Sequence, residues 1–281
     1  MRKTRRLILA SLTALSLLSP GMSPADTGPT APDILILGDS QLSFGAGKAF
    51  LNYFNMATKF CAQTAGMSVG VIGVRSTALA AWTARSKKGK GALCDIDPKW
   101  KVNAGSYGTL NHNENPYIQI GQGALYQFCK PERSGFEAMF AKGYYAPKLL
   151  IMFFLGNAES RWAASPEAAL ADAKATMAQL PPDLPCIFMT TAPVHGGKVN
   201  KLRSRAQENI RGAFTSIGSR CSFVDGYTKA TLAANQNVSA NFRRKPSGAI
   251  KDPFHPTESA ARAFLSLRSD ALCAAISAQL K

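Results

Sequence analysis

The chain has 281 residues, of which 46% are hydrophobic and 18% are charged. This composition is typical of a packed globular protein and excludes disorder as the main state. The length suits one large domain, because a single core stops growing at roughly 250–300 residues.

The first 25 residues have the pattern of a secretory signal. Four cations lie within residues 2–6, a 12-residue apolar run follows at 7–18, and Ser23-Pro24-Ala25 supplies small residues for cleavage. The run is too short for a spanning helix, which needs about 20 apolar residues. We therefore expect residues 1–25 to be removed and residues 26–281 to form a single domain. The mature protein is expected to be exported, periplasmic or secreted, with no stable membrane insertion.

The expected mature chain is strongly basic. Removal of the four N-terminal cations leaves 29 Lys and Arg against 17 Asp and Glu, a net charge of +12. Such a balance usually indicates nucleic acid, but export argues against that partner. Acidic polysaccharides and anionic lipid headgroups are the polyanions outside the cytoplasm, and the charge is equally explained by solubility alone.

Five short apolar runs predict strands, at residues 34–37, 69–74, 149–155, 187–189 and 222–224. Strands that are apolar on both faces are typical of a parallel sheet covered on both sides. Helical patterns lie between and after the strands, at residues 43–62, 166–180, 198–218 and 257–280. This alternation predicts a doubly wound, flavodoxin-like α/β fold with a five-stranded parallel sheet and helices on both faces.

One connection is far longer than an ordinary link between a strand and a helix. About 60 residues, 86–147, separate the second strand from the third, whereas such links usually have about 2–6 residues. We interpret this segment as an insertion that adds a subdomain or lid on one edge of the domain.

The six cysteines are even in number, which favours three disulfides in an exported protein. Cys94 and Cys129 lie within the insertion and are expected to pair there. In a flavodoxin-like order the first and last helices share a face, and the fourth and fifth strands are neighbours. The other expected pairs are Cys61–Cys273 and Cys186–Cys221. A metal site is not expected, because the sequence has no Cys-x-x-Cys.

Two short motifs carry the residue types of nucleophilic catalysis. Gly38-Asp39-Ser40 stands where the first strand ends, and ligands of open α/β sheets bind at the carboxyl ends of strands. His255 follows Asp252 by three residues, a spacing that can place the carboxylate beside Nδ1 and leave Nε2 to accept a serine proton. Taken alone, Gly-Asp-Ser is better explained by a serine cap on an ordinary strand-to-helix turn, and a surface loop histidine with a nearby acid is common. Together they indicate a catalytic triad.

The two motifs resemble those of the SGNH or GDSL-type hydrolases, over nearly the whole chain from Asp33 to the last helix. In that family the nucleophilic serine lies in Gly-Asp-Ser after the first strand, and the acid and base lie near the C-terminus as Asp-x-x-His. The resemblance implies Ser40 as the nucleophile, His255 as the base and Asp252 as the acid that orients it.

The same family holds the oxyanion with two further groups, a backbone N–H after the second strand and an asparagine side chain after the third. The resemblance implies Asn157 as the asparagine and either Gly73 or Ser76 as the backbone donor. The chain departs from the family pattern at Gln41, where leucine is usual, and at the glycine and aspartate that usually flank the asparagine.

Arg75 and Arg161 follow the second and third strands, so either side chain could enter the crevice and bind a substrate anion. A solvated arginine is the alternative at both positions.

The sequence is therefore interpreted as an exported esterase that removes small acyl groups, such as acetyl, from a polysaccharide or another small ester. The reaction passes through a covalent acyl-enzyme and requires no metal or organic cofactor. Two alternatives stay open: a polysaccharide O-acetyltransferase with the same triad, and a non-catalytic carbohydrate-binding protein on this fold.

Overall fold

A computed structural model describes residues 32–85, 101–107, 120–122, 132–140 and 146–281, with backbone only for 101–107 and 120–122. The predicted signal segment and most of the predicted insertion lie outside the described residues. The expected Cys94–Cys129 pair lies there too, so that disulfide stays a prediction.

The strands form one large sheet and one separate pair. The large sheet contains β1 Ile34–Gly38, β2 Val69–Val74, β3 Lys101–Tyr107, β4 Ile120–Gln122, β5 Leu149–Phe153, β6 Cys186–Met189 and β7 Ser222–Val224, and the pair contains β8 Phe242–Arg244 and β9 Ile250–Pro256.

Five strands of the large sheet are parallel, in the spatial order β2-β1-β5-β6-β7. These are the five strands predicted from the apolar runs, and their order is the doubly wound, flavodoxin-like one. Two backbone segments from within the insertion, β3 and β4, extend the sheet antiparallel beyond β2. The sequence did not predict these two strands. The predicted role of the insertion as a lid stays a prediction.

The helices are α1 Gly47–Asn55, α2 Ala57–Phe60, α3 Leu79–Thr83, α4 Gly135–Phe140, α5 Glu159–Ala164, α6 Pro166–Gln179, α7 Gly197–Ser216, α8 Lys229–Asn235 and α9 Glu258–Gln279. The predicted helices 166–180, 198–218 and 257–280 correspond to α6, α7 and α9. Ser165 caps α6 as expected, because its hydroxyl accepts a hydrogen bond from the Ala168 N–H at 3.1 Å. Within the described residues, no helix is long and apolar enough to cross a bilayer.

The predicted helix 43–62 is the one that the structure breaks up. It begins as a π-helical turn, Leu42–Ala46, continues as α1 and is interrupted at Met56 before α2. A Cβ on Gly45 would lie 2.7 Å from the carbonyl oxygen of Pro256, so only glycine lets this turn pack so closely against the segment before α9. The irregular turn thus brings the residues after β1 against the end of β9.

Two apolar layers cover the two faces of the sheet and explain why β1, β2, β5 and β6 are apolar throughout. In β1, Ile34 and Ile36 face the layer that contains α1 and α9, whereas Leu35 and Leu37 face the layer that contains α3–α7. All four side chains are fully buried. Each stabilises the fold by about 1.5–3 kcal/mol relative to an exposed side chain.

The structure confirms the two expected disulfides that lie within the described residues. Cys61–Cys273 joins the end of α2 to α9 on one face of the sheet, and Cys186–Cys221 joins the starts of β6 and β7. Their Cα atoms lie 5.3 and 4.5 Å apart, respectively.

Candidate active site

The loops at the carboxyl ends of β1, β2 and β5 surround a cavity of about 400 Å³. Ser40 follows β1, Arg75 and Ser76 follow β2, and Asn157 follows β5. His255 reaches the same cavity from β9. The structure therefore brings together, at the expected edge of the sheet, residues that are far apart in the sequence.

Ser40, His255 and Asp252 form a continuous hydrogen-bonded chain. The Oγ of Ser40 lies 2.9 Å from Nε2 of His255, and Nδ1 of His255 lies 2.9 Å from both carboxylate oxygens of Asp252. These distances are within the range for a nucleophile, a base and a group that orients the base. This arrangement is the one that the two sequence motifs predict.

The carboxylate of Asp252 is held by more than the histidine. It accepts hydrogen bonds from the N–H groups of Phe254 and His255 and, at 2.7 Å, from the guanidinium of Arg243 on the neighbouring strand β8. Burial acts to raise the pKa of Asp252, but the bonds from Arg243 and His255 outweigh it and leave the pKa below its ordinary value. Asp252 is thus kept ionised beside His255.

Asp39 joins the turn after β1 to the turn after β5. Its buried carboxylate accepts hydrogen bonds from the N–H groups of Gln41, Leu155 and Gly156, at 2.9, 3.4 and 3.1 Å. Burial raises the pKa of Asp39, although these donors and nearby Arg203 act in the opposite direction. The acid of the Gly-Asp-Ser motif therefore fixes the position of Ser40 relative to Asn157.

Gln41 joins the turn after β1 to two other loops of the site. Its Nε2 donates to the carbonyl oxygens of Ala192 and Phe254, at 3.0 and 3.1 Å, and its Oε1 accepts from the Ala192 N–H. Gln41 and Ala192 are buried, so their bonds satisfy polar groups that have little access to water, whereas the bond to exposed Phe254 is partly buried. Gln41, which departs from the family pattern, therefore links the turn that carries Ser40 to the strand β9 that carries His255.

Of the three predicted oxyanion donors, Asn157 and Ser76 line the cavity and Gly73 does not. The Asn157 amide donates one N–H to the carbonyl oxygen of Thr77 at 3.0 Å, which leaves its second N–H available to a ligand. Ser76 has a φ of +58°, a left-handed conformation that is uncommon for a residue other than glycine. Gly73 lies within β2, where a Cβ would be 2.4 Å from the Ser43 nitrogen. Gly73 is thus required for close packing against the π-helical turn.

The two predicted substrate-binding arginines have different positions. Arg75 lines the cavity. Arg161 does not line it, because its guanidinium binds both carboxylate oxygens of Asp172 on α6, at 2.5 and 2.9 Å. This ion pair holds α5 against α6 and does not support the prediction that Arg161 binds substrate.

A third arginine, Arg203 of α7, forms part of the cavity wall and was not predicted from the sequence. It is 4% exposed and pairs through Nε with Glu159, the first residue of α5. The pair braces the loop that carries Gly156 and Asn157. No local pattern distinguishes Arg203 from the other basic residues of α7, so only the packing of α7 against α5 reveals it.

No protein-family model matches the sequence, and no curated protein matches it. Among solved structures, the chain is similar to a family two carbohydrate esterase from Clostridium thermocellum in complex with cellohexaose, with 15% identity and a TM-score of 0.43. It is also similar to an acetyl xylan esterase from Butyrivibrio proteoclasticus, with 12% identity and a TM-score of 0.43. The alignments cover 90% and 89% of this chain, and 65% of each of the two proteins. At such scores, neither likeness bears on the reaction of this chain.

Proposed function

We propose that this chain is a serine ester hydrolase of the SGNH type that removes short acyl groups, acetyl above all, from a polysaccharide. The observation that carries the proposal is the unbroken chain of hydrogen bonds from Ser40 through His255 to Asp252, at 2.9 Å for each link. A serine, a histidine and an ionised carboxylate in this order are the groups that acyl transfer requires.

The proposed reaction has two steps. Ser40 Oγ attacks the ester carbonyl while His255 Nε2 takes its proton, and the proton then passes to the departing alcohol as the ester C–O bond breaks. A water molecule, activated by the same nitrogen, then releases the acid and restores Ser40. Asp252 keeps its negative charge and stabilises the imidazolium in both steps.

The negative charge that develops on the carbonyl oxygen requires donors near Ser40. We assign this role to the side-chain amide of Asn157 and to the backbone N–H of Ser76. Support comes from their position in the cavity wall, and for Asn157 from the bond that fixes its amide to Thr77. Each such donor typically contributes about 3–4 kcal/mol to transition-state stabilisation.

The lining of the cavity favours a small acyl group. The cavity has a volume of about 400 Å³, within the range of ligand pockets, and most of the side chains that line it are polar or charged. Phe44 and Phe254 are the large apolar side chains of the described lining, so the cavity offers little apolar surface to a long acyl chain.

The test is a series of 4-nitrophenyl esters with acyl chains of increasing length, assayed on wild type and on Ser40→Ala. Acetate and butyrate should be hydrolysed faster than octanoate. Ser40→Ala should lose at least about 10³-fold in kcat and should not react with a fluorophosphonate probe. The exposed Ser247, changed to alanine, provides the matched control and should retain both properties. Full activity of Ser40→Ala would refute the proposal.

Hydrolysis and transfer are separated by adding an acceptor. An acetylated glycan is incubated with and without an excess of a deacetylated oligosaccharide, and the products are resolved by mass. If free acetate forms at the same rate with and without the acceptor, the protein is a hydrolase. If the acceptor becomes acetylated and free acetate does not form, the protein is a transferase.

We further propose that the protein acts outside the cytoplasm. The two disulfides of the described residues favour an oxidising compartment, and the basic, apolar N-terminal pattern favours export. N-terminal sequencing of the protein from its native host should begin at Asp26.

A further inference from the structure

Two arginines share one aromatic ring at the edge of the cavity. The guanidinium carbon of Arg75 lies 4.1 Å from the ring centroid of Phe44, and that of Arg243 lies 4.9 Å from the same centroid. The ring of Phe44 also contacts the imidazole of His255, with 4.2 Å between the centroids. A guanidinium stacked on a ring keeps the N–H groups at its edge available for hydrogen bonds. The guanidinium N–H donors of Arg75 and Arg243 are therefore held against the same phenyl ring that contacts the proposed base, His255.

Among the described residues, the other charged side chains around the cavity have charged or hydrogen-bonding partners, although Nη1 of Arg203 is also buried without an acceptor. Arg203 pairs with Glu159, and Arg243 donates to Asp252. Asp39 is satisfied by three backbone N–H groups. Each of these groups therefore has less need of a ligand.

Arg75 differs from them. Within the described part of the chain it has no carboxylate partner, and its Nε is buried without a hydrogen-bond acceptor. Burial and the neighbouring charge of Arg243 both lower the pKa of Arg75. A buried donor without a partner costs stability, and a bound anion would remove that cost.

We propose that Arg75 is a specificity-determining residue that binds a carboxylate of the substrate, so that the preferred substrate is an acylated uronic acid polymer. The inference rests on the proposed function, since it names the substrate class of the same site. The planar guanidinium can hold a carboxylate through two parallel N–H···O bonds. Arg75, Phe44, His255 and Ser40 line the same cavity, so a carboxylate bound by Arg75 lies in the cavity that contains the proposed nucleophile.

The first test compares two substrates that differ only in charge: an O-acetylated oligogalacturonate and its methyl-esterified, neutral form. For wild type we expect kcat/KM to be at least about tenfold higher for the charged substrate. This factor corresponds to the free energy of one charge-assisted hydrogen bond. In Arg75→Gln this ratio should fall close to one, and Arg75→Lys should restore it in part. Arg244→Gln removes one exposed cation from the same strand as Arg243 and should keep the wild-type ratio. A wild-type ratio near one, or an unchanged ratio in Arg75→Gln, would overturn the inference.

The second test does not require catalysis. Calorimetry measures the binding of deacetylated oligogalacturonate, and of its methyl ester, to Ser40→Ala and to Ser40→Ala with Arg75→Gln. The inference is supported if Arg75→Gln weakens binding of the charged ligand tenfold or more and leaves binding of the methyl ester unchanged. This result would count even if the protein hydrolysed no ester. Equal binding of both ligands to both variants contradicts the inference, whatever the outcome of the nitrophenyl ester assay.

Discussion

The side chain of Gln41 donates a hydrogen bond to the carbonyl oxygen of Phe254, at 3.1 Å. Gln41 is the neighbour of Ser40 in the sequence, and Phe254 is the neighbour of His255. One partly buried bond therefore links the residue next to the proposed nucleophile to the backbone next to the proposed base, across 213 residues of sequence. A group in this position can fix the distance between Ser40 Oγ and His255 Nε2.

The first prediction concerns Gln41→Leu, which introduces the residue that is usual in the SGNH family. The change removes the partner of the buried Ala192 N–H, which costs about 1–3 kcal/mol, and it also removes the bond to the Phe254 carbonyl. With the serine and histidine no longer held together, kcat on 4-nitrophenyl acetate should fall by about tenfold or more with little change in KM.

Gln207→Leu provides the matched control for Gln41→Leu. Gln207 is equally buried and also makes three hydrogen bonds, to Thr190 and to the backbone of Tyr227. Its loss should lower the melting temperature similarly but leave kcat of the folded protein nearly unchanged. If the two variants lose kcat equally, Gln41 has only a general structural role.

The fold was predictable because its signals are local. Four of the five parallel strands, β1, β2, β5 and β6, are fully buried, so residues such as Ile34 and Leu35 had to be apolar in succession, and this pattern is visible in the sequence. The pair β8–β9 was missed because its residues carry no such pattern. Arg243 and Arg244 are exposed, and β9 contains Pro253, so the segment resembles a loop.

The site was predictable only where a short motif marks it. Ser40, Asp252 and His255 belong to such motifs, and the structure brings them together. An arginine that follows a strand without a motif can point into the cavity or away from it. Which of the two it does depends on partners elsewhere in the chain. From the sequence, Arg161 could either enter the crevice or be solvated, and in the structure it pairs with Asp172. Arg203 lies in the cavity wall although no motif marks it. Periodicity and spacing contain no information on such long-range pairs.

The second prediction concerns Asn157→Ala. The proposed amide donor acts mainly when the oxyanion forms, so kcat should fall by about 10²-fold or more while KM changes little. Steady-state kinetics on 4-nitrophenyl acetate provides the measurement. The Asn157 side chain is exposed, so the loss of its hydrogen bond to Thr77 should lower the unfolding free energy by only about 0.5–1.5 kcal/mol. A change in KM alone would place Asn157 in substrate binding.

The third prediction separates the backbone of Ser76 from its hydroxyl. Ser76→Gly keeps the N–H and adopts a φ of +58° without the strain of a side chain. Activity should therefore stay within about twofold of wild type, and thermal stability should not decrease. A large loss of kcat in Ser76→Gly would mean that the hydroxyl, and not the backbone N–H, takes part in the reaction.

The fourth prediction concerns the disulfide between Cys186 and Cys221, which closes a loop of 35 residues. In the chain-entropy account such a cross-link stabilises the fold by about 4 kcal/mol. The double variant Cys186→Ala, Cys221→Ala should lose a comparable part of the free energy of unfolding, measured in urea. The bond lies at the amino ends of β6 and β7, away from the cavity, so the kcat of the folded variant should be unchanged. Loss of kcat without loss of stability would contradict this reasoning.

The last prediction is the pH dependence of the contribution of Asp252 to stability. The pKa of Asp252 is lowered in the folded protein by Arg243 and His255, relative to an ordinary value near 3.9 in the unfolded chain. A lowered pKa means that the folded state favours the ionised form. The stabilisation is therefore complete above the unfolded pKa, and it is lost as pH falls through the folded pKa. Asp252→Asn, which carries no charge at any pH, should be less stable than wild type at pH 7 and pH 5. Near pH 3 and below, the difference in unfolding free energy should shrink.

Urea unfolding of wild type and Asp252→Asn at pH 7, 5 and 3 measures this difference directly. Other carboxyl groups with lowered pKa values, such as Asp33 and Glu137, are present in both proteins and cancel in the comparison. Asp270→Asn removes an exposed carboxylate of α9 and should leave the unfolding free energy close to that of wild type at all three values. A difference between wild type and Asp252→Asn that stays constant from pH 7 to pH 3 would mean that shape and hydrogen bonding of the side chain stabilise the site, and that its charge does not.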